Sequence, residues 1–393
     1  MVKRPVGPAS PSSLRHWNEQ VVHSALSTAP QKISELVART GLTPPAVGEV
    51  LRGLEEKGWA KSSEPTGGGR GRPAQYFTLQ MPKGCVIGVD IGAHAIRLVA
   101  LDLWGKVLGT AEDRLHEGAN AVERKQMIRE IANTLLEETG SLPIWSTVIT
   151  VPGQVSSDGI IVNSIVLPEW MGKSPESLFG DVFKSPVYFA NDVRSAAWAE
   201  RKVGRARGYA DILFVRLGRR PSLGVVIGNT IRVGATGFSG DLSKNSLLPS
   251  EEHMDWFNAY PADDRLGHAT RAALQGDSDA IDAVVRYIES IAPALSLAIA
   301  VVDPEIVVIG GPPAPLAPYY LPQVIETVKN EVLDSPIIVA SDLDQFSSAL
   351  GGALIGIKRI KDLLLSPDHG AGAFTLENFH TVLAHQSDVK VEV

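Results

Sequence analysis

The sequence of 393 residues contains a single cysteine, Cys85, which excludes an intramolecular disulfide and a zinc site built on several thiolates. It also lacks a long unbroken apolar run. The longest, from Ile291 to Val302, is interrupted by Pro293 and Ser296 and falls short of the roughly 20 residues a bilayer-crossing helix needs. The opening residues, MVKRPVGPAS, contain no apolar signal core, so the expectation is a cytoplasmic protein with no membrane partner. Positive charge is in short supply: the net charge of −7 argues against a surface that binds polyanions everywhere. The deficit is uneven, however. Residues 1–83 carry a net +5 and the remainder a net −12, so a small basic front precedes an acidic body. A hydrophobic content of 44% and this length suit a soluble chain of two or three domains.

In the basic front, Leu14, Trp17, Val21, Ala25 and Leu26 recur at helical spacing. Ile33, Leu36 and Val37 suggest a second helix that Gly41 would end, because a glycine takes the left-handed conformation a helix terminus needs. A third opens at Thr43 as N-cap with Pro44 at its first position, and would bury Val47, Val50, Leu51 and Leu54. Helix, glycine turn, helix is the helix-turn-helix pattern. Two strands, around Trp59–Ser62 and Tyr76–Leu79, then flank the basic loop GGGRGRPAQ, which makes a wing. Planar cations on a thin glycine loop can enter a minor groove or clamp phosphates. The expected DNA-contacting residues are Thr43, Pro45 and Arg52 on the third helix and Arg70, Gly71 and Arg72 in the wing. Glu49 on that helix would repel phosphate unless it accepts from a cytosine amine, so the wing is expected to carry more of the affinity than usual. A protein-binding module of the same build remains open.

The body is organised around Cys85–Leu108. Val86, Ile87 and Val89 lead to Asp90 and Gly92, and Ile96, Leu98, Val99 and Leu101 resume a strand, giving a hairpin with a carboxylate at its bend. A second hairpin of similar character, from Ile212 to Gly234, points to internal duplication and a cleft between two lobes. Helices are expected over Ala121 to Glu138, Arg194 to Lys202 and Ile281 to Val302, the last feeding a strand that closes on Gly310 and Gly311. Gly310-Gly311-Pro312-Pro313 reads as a tight turn, and His94 as structural or solvent-facing.

Several segments together resemble the ROK family of repressors and sugar kinases: Val151-Pro152-Gly153, Asn191-Asp192, Trp198 to Gly204, and Asp303 to Gly311. The resemblance implies an α/β two-lobed actin-like ATPase (ROK sugar-kinase-like) fold preceded by an N-terminal winged helix-turn-helix domain. Its expected divisions are residues 1–83 for DNA, 84–195 and 196–365 for the lobes, and 366–393 for a tail. Family kinases carry Asp-x-Gly-Gly-Thr at the first bend, where this sequence has Asp90-Ile91-Gly92-Ala93-His94. Their Gly-Thr-Gly-x-Gly turn is Gly218-Arg219-Arg220-Pro221-Ser222-Leu223-Gly224 here. Both phosphate turns are thus altered. The family's zinc motif of one His and three Cys is absent, and Glu251, Glu252 and His253 are too adjacent to hold an ion, so neither a metal nor a cofactor is expected. The Glu-x-Gly-His segment appears as Asp241-Leu242-Ser243-Lys244.

By the same resemblance Gly153, Gln154, Ser164, Asn191, Asp192 and Asp241 form a sugar pocket, with Asp192 in the place of the kinase general base. Asn191 or Asp192 can equally be the N-cap of the helix that follows. The implied function is a transcriptional regulator, by family habit a repressor, of sugar metabolism genes. It would bind a double-stranded operator as a homodimer or tetramer, answer a sugar or sugar-phosphate effector, and have no catalytic residue. The alternatives are an effector-blind regulator, with Lys244 paired to Asp241 or Asp192, and an active sugar kinase.

Overall fold

The computed structural model describes residues 11–26, 29–56, 58–63, 75–116, 118–218, 220–242, 245, 247–248, 255–261 and 264–364. The chain separates into two compact units. One comprises the described residues within 11–85, 102–106 and 357–364, and the other those within 86–101 and 107–356.

The first unit begins with α1 (Pro11–Ala25), β1 (Gln31–Lys32), α2 (Ile33–Thr40), α3 (Pro44–Glu56), β2 (Ala60–Ser63) and β3 (Tyr76–Leu79). Gly41 ends α2 with φ 70°, its N–H bonding the carbonyl of Val37. The Thr43 carbonyl takes the N–H of Val47, and α3 buries Val47, Val50, Leu51 and Leu54, as their spacing predicts. On α1 the buried apolar residues are Val22 and Ala25, with Leu26 just beyond the helix; Val21, which the spacing favoured, is only half-buried. The two predicted wing strands pair antiparallel, and β1 adds a third on the far side of β3. Residues 64–74, with Arg70, Gly71 and Arg72, lie outside the described residues.

The second unit is built on two five-stranded sheets. The first half runs β4 (Cys85–Ile91), β5 (Ala95–Asp102), β6 (Val107–Arg114), α4 (Ala121–Glu138), β7 (Ile144–Val151), β8 (Gln154–Val155), β9 (Ile161–Asn163), α5 (Pro175–Phe179) and β10 (Val187–Asn191). The second half runs α6 (Asp192–Lys202), β11 (Ile212–Arg216), β12 (Ser222–Ile227), β13 (Thr230–Ile231), α7 (Arg265–Leu274), α8 (Ser278–Val302), β14 (Ile306–Gly310), α9 (Ala317–Glu331), β15 (Ile337–Ala340) and α10 (Ser347–Leu364). α10 belongs to this unit as far as Gly356.

Strand order is β10-β7-β4-β5-β6 in one sheet and β15-β14-β11-β12-β13 in the other. Each sheet thus opens with a meander and adds its later strands on the side of the first, the repetition the two hairpins predicted. β7 pairs β10, and β14 pairs both β11 and β15, in parallel, so the intervening chain must cross over as helices. α7, α8 and α9 cover one face of the second sheet through Ala269, Tyr287, Leu295 and Val324, while α6 and Ile355 of α10 cover the other. By length and composition α8 could cross a membrane, but half of its most apolar window is buried inside the protein.

Candidate functional site

Of the DNA-reading candidates that are described, Pro45 and Arg52 stand seven residues apart on one side of α3, and Thr43 immediately precedes the helix. Thr43, Pro45 and Arg52 are exposed, as is Glu49, whereas the four apolar residues of the same helix are buried. Two further exposed cations, Arg39 in the last turn of α2 and Lys61 in β2, were missed; their signal was only a basic residue beside each predicted terminus. Glu55 does not compete with them, since its carboxylate accepts the Ser62 N–H at 2.9 Å and is tied to β2.

In the second unit the bend between β4 and β5 is closed by the Gly92 N–H on the Ala95 carbonyl at 2.9 Å, leaving that donor engaged. Arg124 of α4 then grips the bend through its carbonyls, donating to Gly92 at 2.8 Å and Ala93 at 3.4 Å, and also to Ala119 at 3.2 Å. A phosphate requires N–H groups facing it; here the carbonyls face a guanidinium. His94 is exposed. Asp90 is 2% exposed and accepts from the Thr150 hydroxyl at 2.9 Å, with Arg97 3.8 Å away. Burial raises its pKa above the ordinary carboxylate value, and the Arg216 charge opposes that rise.

At the second hairpin Arg216 ends β11, and its guanidinium forms an ion pair with the Asp192 carboxylate. Desolvation works against the Arg216 cation, but the charges of Asp192 and Asp90 outweigh it, and its pKa is raised. Pro221 is buried. Gly224 lies within β12 because α6 leaves no room for a side chain: a Cβ would stand 2.7 Å from that of Ala197 and 3.0 Å from the Val193 carbonyl. Its role is packing. Gly311, at φ 101°, fits the predicted turn.

The six expected pocket residues form one linked set. Gly153, at φ 146°, adopts a conformation that side chains rarely take, and a Cβ there would stand 2.9 Å from that of Ser164. Its carbonyl accepts from the Asn191 amide at 2.8 Å. Ser164 donates to the Pro152 carbonyl at 2.6 Å and accepts the Leu167 N–H at 3.1 Å, so much of its hydroxyl serves the local fold. Of the two N-cap candidates Asn191 is the cap, accepting the Arg194 N–H at 2.9 Å. Asp192, 7% exposed, accepts from its neighbours' nitrogens: Val193 N at 2.9 Å and Asn191 Nδ2 at 3.2 Å. Gln154 donates its amide to the Asp241 carboxylate, while its buried Oε1 has no hydrogen-bond partner among the described residues. A buried acceptor in that condition calls for a ligand hydroxyl or a water.

Among the described residues the cation on Asp192 is Arg216, 24 positions further along the chain. Lys244 lies outside the described residues, as do Glu251, Glu252 and His253. Among the described residues no group of three or more His, Cys, Asp or Glu gathers as a metal site.

Comparison with known proteins matches residues 86–253 to the ROK family. The chain is 23% identical over 228 residues to a xylose repressor of Bacillus subtilis (strain 168), covering 56% of this chain and 58% of that protein. It thus spans about half the length of the xylose repressors it matches. A glucokinase of Thermotoga maritima is 25% identical over 319 residues, 71% of this chain and 99% of that enzyme. The fold is shared with a crystallised ROK family transcriptional regulator described as a homologue of the E. coli MLC protein, at a TM-score of 0.70 and 18% identity over 90% of this chain and 98% of that one. The chain carries a ROK family domain, in the two-lobed sugar-kinase-like fold that its paired sheets build.

Proposed function

We propose that this protein is a cytoplasmic, DNA-binding transcriptional regulator, a repressor by analogy with its xylose-repressor relatives, whose sugar-kinase-like body senses a sugar and does not phosphorylate it. The observation that carries the reading is the Arg216–Asp192 ion pair. The carboxylate in the general-base position already holds a protein cation, at the hairpin where a kinase would cradle phosphate. The Arg124 clamp on the other bend supports the same conclusion.

Residues 1–83 would read DNA through Thr43, Pro45 and Arg52 and the wing residues Arg70, Gly71 and Arg72, and residues 84–365 would form the sensing body. A homodimer or tetramer would place two such readers on paired half-sites. An effector favouring one arrangement of the lobes would change operator affinity by at most its differential affinity for the two arrangements.

The test starts from DNA that the full-length protein enriches from a random-sequence pool. Replacing Arg70 and Arg72 by Ala should weaken binding to that DNA and flatten its salt dependence by about 0.9 log units per log unit of salt for each phosphate no longer neutralised. Binding that survives unchanged removes the wing from the account. The glucokinase relative favours a second reading, an active sugar kinase. ATP-dependent phosphorylation of a sugar, lost in Asp192→Asn, would establish it in place of the first.

A further inference from the structure

The residues around Asp192 carry information about the charge of the ligand. Asp192 and Asp90 are nearly buried carboxylates, and Asp241 joins the same linked set through Gln154. Arg216 donates to Asp192, and the Asp90 charge acts on it as well. Arg97 is shared between Asp90 and Glu112, at 3.8 and 2.9 Å. The guanidinium of Arg194 is turned to the carbonyls of Val155, at 3.2 Å, and Val233, at 3.4 Å. Each of these cations already has a protein acceptor.

A phosphate ester arriving at Asp192 would have to displace the carboxylate from Arg216 and would then face two buried acids. That exchange trades a charge-assisted pair for repulsion. A neutral hydroxyl meets no such barrier, because it can donate to a carboxylate and accept from a guanidinium without separating them.

We infer that the Arg216–Asp192 pair is the specificity element of this residue set, selecting an uncharged polyhydroxy ligand over its phosphate ester. The inference rests on the proposed sugar-sensing role and adds the charge class of the effector. It has a sharp corollary. Replacing Asp192 by Asn keeps an acceptor for the Val193 and Asn191 nitrogens while releasing Arg216, which then becomes a receptor for anions.

The experiment uses the full-length protein and calorimetric titration with D-glucose, D-mannose, N-acetyl-D-glucosamine and D-xylose, each beside its terminal phosphate ester. In the unmodified protein at least one free sugar should bind at least tenfold more tightly than its ester. In Asp192→Asn that preference should fall by tenfold or more through a gain in ester affinity. Adding Arg216→Gln should abolish the gain.

An ester preferred by the unmodified protein would overturn the charge selection and leave the sensing role standing. An unchanged preference in Asp192→Asn would also overturn it, provided the variant melts within a few degrees of the parent. If DNA binding is intact but no sugar or ester binds, the sensing role fails and this inference fails with it.

Discussion

Replacing Gly88 by valine should leave the body unfolded, or nearly so, at 37 °C. Gly88 lies in the middle of β4, where α10 crosses the strand. A Cβ at this position would overlap the Ala349 carbonyl oxygen and stand 2.8 Å from the Ala353 nitrogen. These are backbone atoms of a helix, and they cannot rotate aside. Nor can α10 lift as a unit, because small residues bring it equally close elsewhere. A Cβ on Gly351 would lie 3.1 Å from the Ser195 Cα, one on Gly352 2.9 Å from Cγ2 of Thr150, and one on Gly356 2.6 Å from Cγ1 of Val86.

Overpacking a side chain into a tight core commonly costs about 1–3 kcal/mol. A collision of backbone with backbone should exceed that range, roughly 4 kcal/mol or more for valine, against a domain stability of about 5–15 kcal/mol. Alanine should already lower the urea midpoint clearly. Gly53→Ala is the contrasting case: it is helical, has open space around it, and should be neutral or stabilising by about 0.5–1 kcal/mol. An unchanged midpoint in Gly88→Ala would show that α10 does not sit where the structure puts it.

The glycines mark where the sequence was readable and where it was not. Gly41 could be read as a helix terminator because its role is local, and the four apolar residues of α3 could be read from spacing alone. α4 runs over the residues its pattern predicts, starting at an Asn120 N-cap with Glu123 returning to it. Gly88, Gly224 and Gly351 gave no such signal. Each is set by an element far away in the chain, and nothing in the surrounding residues distinguishes a packing glycine from a turn or phosphate glycine. β1 was invisible for a related reason, since Gln31 and Lys32 become a strand only by pairing with Phe77 and Tyr76.

The candidate site divides in the same way. Family motifs named six residues for a pocket, and the structure places them in contact with one another. What they do to one another was not legible. Ser164 and Asn191 largely serve the local backbone, and the cation on Asp192 is Arg216 at the end of β11, which no motif singled out. Nothing in the sequence sets Arg124 apart from the other charges of its helix. Sequence shows which residues are available for chemistry, but the partner of a buried charge is decided by the packing of the sheets.

Acid should loosen the first unit at a histidine. His23 lies on α1, is 5% exposed, and its Nε2 has no hydrogen-bond partner among the described residues. Burial, together with the charge of Lys361, pushes its pKa from 6.5 down to about 4. Lys361 is itself lowered by burial, against the opposing pull of Asp102. The sign follows from linkage. The fold favours neutral His23, so its contribution is whole above pH 6.5 and is lost as the pH falls towards 4, where the folded protein must accept the proton or open. A displacement of that size amounts to about 3 kcal/mol across the window, of which about 2 kcal/mol is lost by pH 5. Hydrogen exchange of α1 amides should therefore accelerate steeply between pH 6.5 and 5, after correction for the intrinsic pH dependence. His23→Leu removes the titrating ring and keeps an apolar side chain, so it should flatten that limb; Lys361→Gln, removing the smaller cause, should flatten it only in part. If the parent and His23→Leu lose protection in parallel, the acid sensitivity of the first unit arises at another group.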